Sequence, residues 1–459
     1  MDDVKKERYI SFAIKIAIIV VFTILAFLVA QHHEPWSDEA QSFLLARDNS
    51  IIEVFKYIKY EGTPALWIFV IKIFIFLGGT YETFFLLPII FSVIGISIFQ
   101  FKIDAPWYVK LLFPFTYFIF YQYTIIARSY CLVFPMLMLI ASIYNKRLDK
   151  PILYSIILLL FMNISLHTLI ISGSLYLLFI IDACKNKKIL NNRIFIACVI
   201  IFIELLITLL YIIPSPDCCF NGNGGSNIFH IISEATIGSM QNIWVEILIT
   251  GLVLVILGIN TKKKFINDIF TLGILLVPVM FVLVFITYQC WHVGIIFLTL
   301  FTYLIITNKI NDYKIVKYFM LILCCIQIYW TISSSCYDLQ FNYSASKDVA
   351  EFLEEKCNDK VIYSINYSCT AIEPYFDENI FKNRDYNKSF FLWRKQTDDY
   401  AISKIKGNKA DIYVIPSINE KFMGRLLDKN CFDEHKFYGY TYIKDKIYES
   451  ESYCIWIKK

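Results

Sequence analysis

The sequence lacks the signals that mark several common protein classes. Its 43 Lys and Arg residues nearly balance its 39 Asp and Glu, leaving a formal charge of +4, so no basic field points to a nucleic-acid partner. Its 13 cysteines include no pair of CxxC motifs at zinc spacing. Cys131, Cys184, Cys198, Cys324 and Cys325 lie in apolar runs, where cysteine behaves as a small hydrophobe. Cys218, Cys219, Cys336, Cys357, Cys369, Cys431 and Cys454 fall outside those runs. With Cys290, which lies between two runs, the total is 13; that odd total implies no complete disulfide framework and leaves room for one or two bridges in the C-terminal part. No small-x-small cleavage site follows the first apolar stretch, 10–29. At about 20 residues it also exceeds a signal-peptide core, and it reads as an uncleaved first span with a cytoplasmic N-terminus. Internal repeats are absent.

What the chain does have is long apolar runs. It is 57% hydrophobic, with 40 Phe and 31 Tyr, above the usual composition of a soluble protein. Apolar segments near 10–29, 64–78, 83–101, 107–123, 127–145, 151–166, 168–184, 193–213, 241–259, 268–287, 293–308 and 314–332 are candidate membrane helices. The clusters Lys146/Arg147/Lys150, Lys185/Lys187/Lys188, Lys262/Lys263/Lys264 and Lys309/Lys314/Lys317 mark cytoplasmic turns. With Lys5, Lys6 and Arg8 also inside, 127–145 must run inward, 107–123 outward and 83–101 inward. No crossing is left for 64–78, which is predicted as a juxtamembrane helix on the outer leaflet. The preceding stretch, 38–58, mixes charge with apolar positions and reads as an amphipathic interfacial helix. Eleven spans then put the C-terminus outside; twelve spans would put it in the cytoplasm. Outer loops fall at 30–82, near 125–128, near His167, at 214–241 (which contains Asn221-Gly222-Asn223-Gly224-Gly225-Ser226) and near 289–292.

After Ser333 the apolar runs shorten and charge rises. Residues 345–356 read as a helix with Ser344 or Ser346 as N-cap. Residues 360–365, 411–415, 438–443 and 453–457 read as strands. The expectation is therefore an α-helical polytopic membrane region, 1–332, followed by a small extracytoplasmic α/β domain, 333–459.

Polar residues stand out where the spans meet the outer face. His33-Glu34-Pro35-Trp36-Ser37-Asp38-Glu39-Ala40-Gln41 follows the first span directly. The plain structural reading is helix capping, with Ser37 or Asp38 as N-cap and acids in the first turn. Yet Glu61-Gly62-Thr63-Pro64-Ala65-Leu66-Trp67 lies in the same loop, and Ala127-Arg128-Ser129-Tyr130, Asn163-Ile164-Ser165-Leu166-His167 and Trp291-His292 reach the same face. Ionisable residues at membrane depth are candidates for function. Against this, Arg128 could snorkel at a helix end, His167 and His292 could be ordinary turn residues, and Tyr130 and Trp36 could be interfacial aromatics.

The order and spacing of these elements over about 1–310 resemble the GT-C glycosyltransferases, in particular bacterial relatives of protein O-mannosyltransferases, aminoarabinose transferases and lipopolysaccharide-core sugar transferases. The resemblance is carried by Trp36-Ser37-Asp38-Glu39-Ala40, by the Gly-x-Pro-x-Leu-Trp element at 62–67, by Ala127-Arg128-Ser129-Tyr130 and by Asn163…His167. Many relatives carry a His-Pro-Pro or Gly-His-Pro element in place of Gly62-Thr63-Pro64, and an Arg-His pair in place of Trp291-His292. The resemblance implies a sugar donor linked to polyprenyl phosphate, transfer to an extracytoplasmic glycan, lipid or protein acceptor, and a carboxylate general base. On that pattern Asp38 is the base. Glu39 orients it, contacts donor or acceptor, or helps bind a divalent cation such as Mg or Mn. Arg128 holds phosphate, with His167, His292, Tyr130, Glu61 and Trp36 as further substrate contacts.

Two other classes fit many spans and few loops. One is a transporter or flippase for a lipid-linked glycan, although the charges sit at one surface and no inverted repeat with paired broken helices is present. The other is a non-catalytic scaffold that keeps the fold. The aromatics Tyr375, Phe376, Phe390, Phe391 and Trp393 could stack on sugars or simply form a core.

Overall fold

The computed structural model describes residues 2–219, 224–238, 242–259, 265–356, 360–384, 387–407 and 409–459. Lys262/Lys263/Lys264, Cys357 and Asn221-Gly222-Asn223 lie outside them. The helical part comprises α1 (Asp2–Ala30), α2 (Ser37–Arg47), α3 (Ile51–Tyr57), α4 (Leu66–Phe76), α5 (Leu86–Lys102), α6 (Trp107–Leu112), α7 (Val133–Ile143), α8 (Pro151–Met162), α9 (Leu166–Lys185), α10 (Asn192–Ile212), α11 (Ile228–Thr236), α12 (Ile243–Gly258), α13 (Phe265–Phe285), α14 (Cys290–Ile306), α15 (Lys309–Asp312) and α16 (Lys314–Asp338).

Among the described residues, six helical stretches are long and apolar enough to cross a membrane: Lys6–Ala30, Ser129–Lys146, Leu166–Lys185, Asn192–Ile212, Asn267–Phe285 and Lys314–Asp338. Five more are apolar but shorter, namely α4, α5, α8, α12 and α14. Ile10, Phe12 and Ile14 of α1, Phe195 and Phe202 of α10 and Leu248 and Val255 of α12 stand exposed, a surface that hydrocarbon would cover and water would not. Inside, Phe113 stacks on Phe301 with ring centroids 3.6 Å apart.

Three local expectations are corrected. The segment 107–123 is not one continuous helix. After α6 it tightens into a 3-10 turn at Phe113–Phe115 and resumes as a π-helix at Phe118–Ile125. Pro114 lacks an N–H, and Thr116 is extended, which breaks the ladder. The segment 38–58 is two helices rather than one interfacial helix. Ser50 caps α3 reciprocally with Glu53, and most of α2, including Ala40, Phe43, Leu44 and Leu45, is buried. The N-cap of α2 is Trp36, not Ser37 or Asp38; its N–H is received by the Glu39 carboxylate at 3.1 Å.

Helix α16 continues past Ser333 to Asp338 and carries Cys336 within it. Beyond it, among the described residues, lie α17 (Ser346–Lys356), α18 (Thr397–Lys406), α19 (Glu420–Leu426) and the strands β1 (Ile362–Ser364), β2 (Ile412–Pro416), β3 (Phe432–Phe437), β4 (Tyr440–Ile443), β5 (Lys446–Glu449) and β6 (Tyr453–Lys458). The main sheet has the order β1-β2-β6-β3, with β1 and β2 parallel and the other pairs antiparallel. Both faces of β2 are covered. Ile412 and Val414 face the α17 side, and Tyr413 and Ile415 face the side with Ile405 and Met423, so the strand reads as one apolar run. Ser344 Oγ accepts the Ser346 N–H at 3.2 Å at the start of α17. Strand β3, Phe-Asp-Glu-His-Lys-Phe, is absent from the sequence-based expectation because its charges hide the strand pattern. No described cysteine forms a disulfide.

The sheet domain is seated on the helices. β4 and β5 form a separate hairpin whose turn residue Lys444, at φ +60, is buried against the helical part. Its ammonium lies 4.5 Å from the Trp330 ring centroid and 3.5 Å from Glu234, and its carbonyl accepts the Ser334 hydroxyl at 2.6 Å.

Candidate active site

A cavity of about 480 Å³ opens where the first loop, the helix ends near Arg128 and His292, and the sheet domain meet. Asp38, Gln41 and Ser42, spaced one turn apart on α2, line one side. The Asp38 carboxylate sits in the first turn of α2, where the helix dipole favours negative charge. One of its oxygens pairs with Arg128 Nη2 at 2.7 Å. The other accepts the Tyr367 hydroxyl at 2.8 Å.

Arg128 follows the π-helix in extended conformation. Its guanidinium lies 4.8 Å from the Trp291 ring, 5.3 Å from Tyr130 and 5.5 Å from Trp36. Burial opposes its charge, and the Asp38 carboxylate at 2.7 Å is the ion-pair partner that offsets this. Its Nη1 is buried without a hydrogen-bond partner among the described residues, as are the indole N–H groups of Trp36, Trp67 and Trp291. Trp36, Trp67, Arg128 and Trp291 all line the cavity. These four donors are themselves buried in the cavity wall, so an oxyanion would meet them after a rotation of the side chains.

Glu61 closes another wall. Gly62, at φ +64, makes the turn that comes after it. Gln41 Nε2 donates to Glu61 at 2.8 Å. Burial, with Asp38 adding and Gln41 opposing, pushes the Glu61 carboxyl up to about 8, so it is mainly neutral at pH 7. The cavity thus holds one acid paired with a guanidinium and one acid kept protonated by desolvation.

Of the residues anticipated from sequence, Asp38, Glu61, Arg128, Tyr130, His292 and Trp36 line the cavity; Glu39 and His167 do not. Glu39 is 1% exposed and its oxygens are engaged. Oε1 accepts the Ala127 N–H at 2.5 Å, and Oε2 faces His33 Nε2 at 3.2 Å. It therefore ties the Arg128 loop to the start of α2. His33 also reaches Asp338 at 3.1 Å. Burial disfavours its charge, yet the two carboxylates prevail and hold it well above its usual value. His167 is buried in the first turn of α9, its ring 4.3 Å from that of His292. At the far ends of these helices, Arg147, Lys185 and Thr307 border a separate cavity.

Tyr367 and Trp393 of the sheet domain also line the site, and sequence reasoning misses Tyr367 as a partner of Asp38. Nothing in a sequence separation of 329 residues announces that contact. Gln41 is legible, being three residues from Asp38 on one helical face. Among the other aromatics, Phe390 and Phe391 are core residues, and Tyr375 and Phe376 pack against buried clusters.

A divalent cation does not fit these donors. Asp38 already holds a guanidinium and a phenol, and Glu39 is consumed by a backbone N–H and His33. The one group of three potential ligands among the described residues, Glu420, Glu434 and Cys454, lies in the sheet domain, where Lys429 and Lys436 pair with both glutamates.

Comparison of the chain with protein-family models, with curated proteins and with solved structures finds no match.

Proposed function

We propose that this chain is a membrane glycosyltransferase of GT-C type that moves a sugar from a polyprenyl-phosphate donor to an acceptor outside the cytoplasm. In this arrangement the chain crosses the membrane eleven times, with the N-terminus inside and the sheet domain outside. The observation that carries the proposal is the Asp38–Arg128 pair, 2.7 Å apart in an aromatic-lined cavity, with Arg128 Nη1 unpartnered among the described residues. One guanidinium can then hold the base through Nη2 and a phosphate through Nη1.

In the reaction, an acceptor hydroxyl oxygen forms a bond to the anomeric carbon as the bond from that carbon to the phosphate oxygen breaks. The acceptor proton passes to Asp38. Polyprenyl phosphate leaves with the bonding electron pair, and Arg128 and the indole donors meet the charge that develops on it. Phosphate is a weak base and needs no strong acid. Neutral Glu61 is suited to donate a hydrogen bond to a sugar hydroxyl.

The test is reconstitution of purified protein in liposomes with a radiolabelled polyprenyl-phosphate hexose and an envelope extract as acceptor source. Transfer by wild type, and loss of about 10²- to 10⁴-fold in Asp38→Asn at unchanged membrane yield, is the expected result. Full activity of Asp38→Asn removes the base assignment. Translocation of the labelled lipid without transfer makes the chain a transporter.

A further inference from the structure

The sheet domain could be a separate acceptor-recruiting module or part of the reaction centre. The contacts favour the second. From its 3-10 helical segment Tyr367–Tyr375, Tyr367 sends its hydroxyl 2.8 Å to Asp38 Oδ1 and 3.2 Å to the Ser37 carbonyl. Asn366, just before it, holds φ +74 and caps the segment by accepting the Ser368 N–H, which fixes the backbone from which Tyr367 projects. The Tyr367 ring is wedged against Phe391 at 5.6 Å and Trp393 at 4.7 Å, so the hydroxyl has little lateral freedom.

We infer that Tyr367 is a positioning residue for the transfer reaction, and that the sheet domain completes the active site by aiming the Asp38 carboxylate. This rests on the transferase reading above. Arg128 and Tyr367 grip different oxygens of Asp38. Two donors on different oxygens set the plane of the carboxylate, and with it the lone pairs that can receive an acceptor proton. Arg128 alone would leave the carboxylate free to pivot about its Cβ–Cγ bond.

The frame that holds Tyr367 is rigid for reasons that do not involve Asp38. Glu451 accepts the Ser37 N–H at 2.9 Å and the Ser344 hydroxyl at 2.8 Å. Lys444 is buried against Glu234 and Trp330. Trp393, the second domain residue at the cavity, brings an aromatic ring to the same lining as the aimed carboxylate. It is where a sugar ring of the incoming acceptor could rest.

The test varies the donor concentration in the liposome assay for wild type, Tyr367→Phe, Tyr367→His and Tyr453→Phe. Tyr453 is the matched control: it lies in the same domain and its hydroxyl donates to the Ser368 carbonyl at 2.8 Å, away from the cavity. Misplacement of a reacting group lowers turnover, so Tyr367→Phe should lose about tenfold or more in kcat with donor KM within about twofold of wild type. Tyr367→His keeps a ring N–H and should recover part of that loss, which also guards against a Phe variant that fails to fold. Tyr453→Phe should retain both constants. Wild-type kcat in Tyr367→Phe, or an equal loss in Tyr453→Phe, overturns the role of Tyr367 and leaves the transferase reading standing. A wild-type chain that transfers nothing overturns both.

Discussion

Gln41 and Phe391 stand 350 residues apart in sequence and are joined by two hydrogen bonds. The Gln41 amide donates to the Phe391 carbonyl at 2.8 Å, and the Phe391 N–H donates back to Gln41 Oε1 at 2.8 Å. A side chain of α2 thus completes the backbone of a sheet-domain loop, as a neighbouring strand would.

Gln41→Ala should therefore loosen the sheet domain as well as alter the cavity. It strands a buried N–H, a buried carbonyl and the Glu61 contact, a loss on the order of 2–3 kcal/mol. Faster hydrogen exchange over 389–394 and 37–47, with the main sheet unchanged, is the expected result. Wild-type exchange in both segments would mean that the pair contributes nothing to docking.

Arg128→Lys tests whether the fork shape or the charge matters. Lysine keeps one positive charge, but it cannot contact Asp38 and a phosphate from two fixed nitrogens, nor lie flat among Trp36, Tyr130 and Trp291. Donor use, read as kcat/KM, should fall roughly a hundredfold. Combining it with Asp38→Asn should cost less than the sum of the two, because the two residues act as a unit. A Lys variant within about threefold of wild type would leave Arg128 as a generic cation rather than a phosphate clamp.

These relationships also show what the sequence could reveal. Apolar runs located most helices of the membrane part, because a helix that crosses lipid demands unbroken hydrophobicity. Asp38, Glu61 and Arg128 were visible because charge beside such runs is costly and so conspicuous. The break at Pro114–Thr116 was obscured by the apolar residues around it. The separation of Asp38 and Glu39 into a cavity-facing and a buried acid depends on helix phase and on Ala127, which only the fold supplies. Tyr367 looked like any tyrosine in a domain containing many. Its meaning comes from docking, which leaves no local pattern.

The docked domain should hold more firmly in mild acid than in base. Burial, first and foremost, raises Glu34, Glu373 and Glu451 from 4.5 to about 7 and Glu61 from 4.5 to about 8. Glu34 accepts the Tyr343 N–H, Glu451 the Ser37 N–H, and Glu61 the Gln41 amide. Three of the four thus join the first loop either to the chain beyond α16 or to a residue bound to the sheet domain. A carboxyl with a raised value favours the protonated state in the folded form. Its stabilisation is fully present below pH 4.5 and is lost as pH climbs to 7 or 8. His33, held above 6.5 by Asp338 and Glu39 against the opposing effect of burial, acts in the same direction: its contribution is present below 6.5 and fades as pH rises through its higher folded value. Glu34, Glu61 and Glu451 therefore weaken docking as pH rises from 4.5 to about 8, and Glu373 and His33 lose their own contributions to the surrounding fold in the same direction. Hydrogen exchange over 37–47 and 367–375, corrected for the intrinsic rate, should be slower at pH 6 than at pH 8.5. Glu61→Gln and Glu451→Gln, which fix the neutral state, should flatten the profile. Corrected exchange that is constant with pH, or faster at pH 6, would show that these acids are solvated well enough to ionise without disturbing the contact between the domain and the helices.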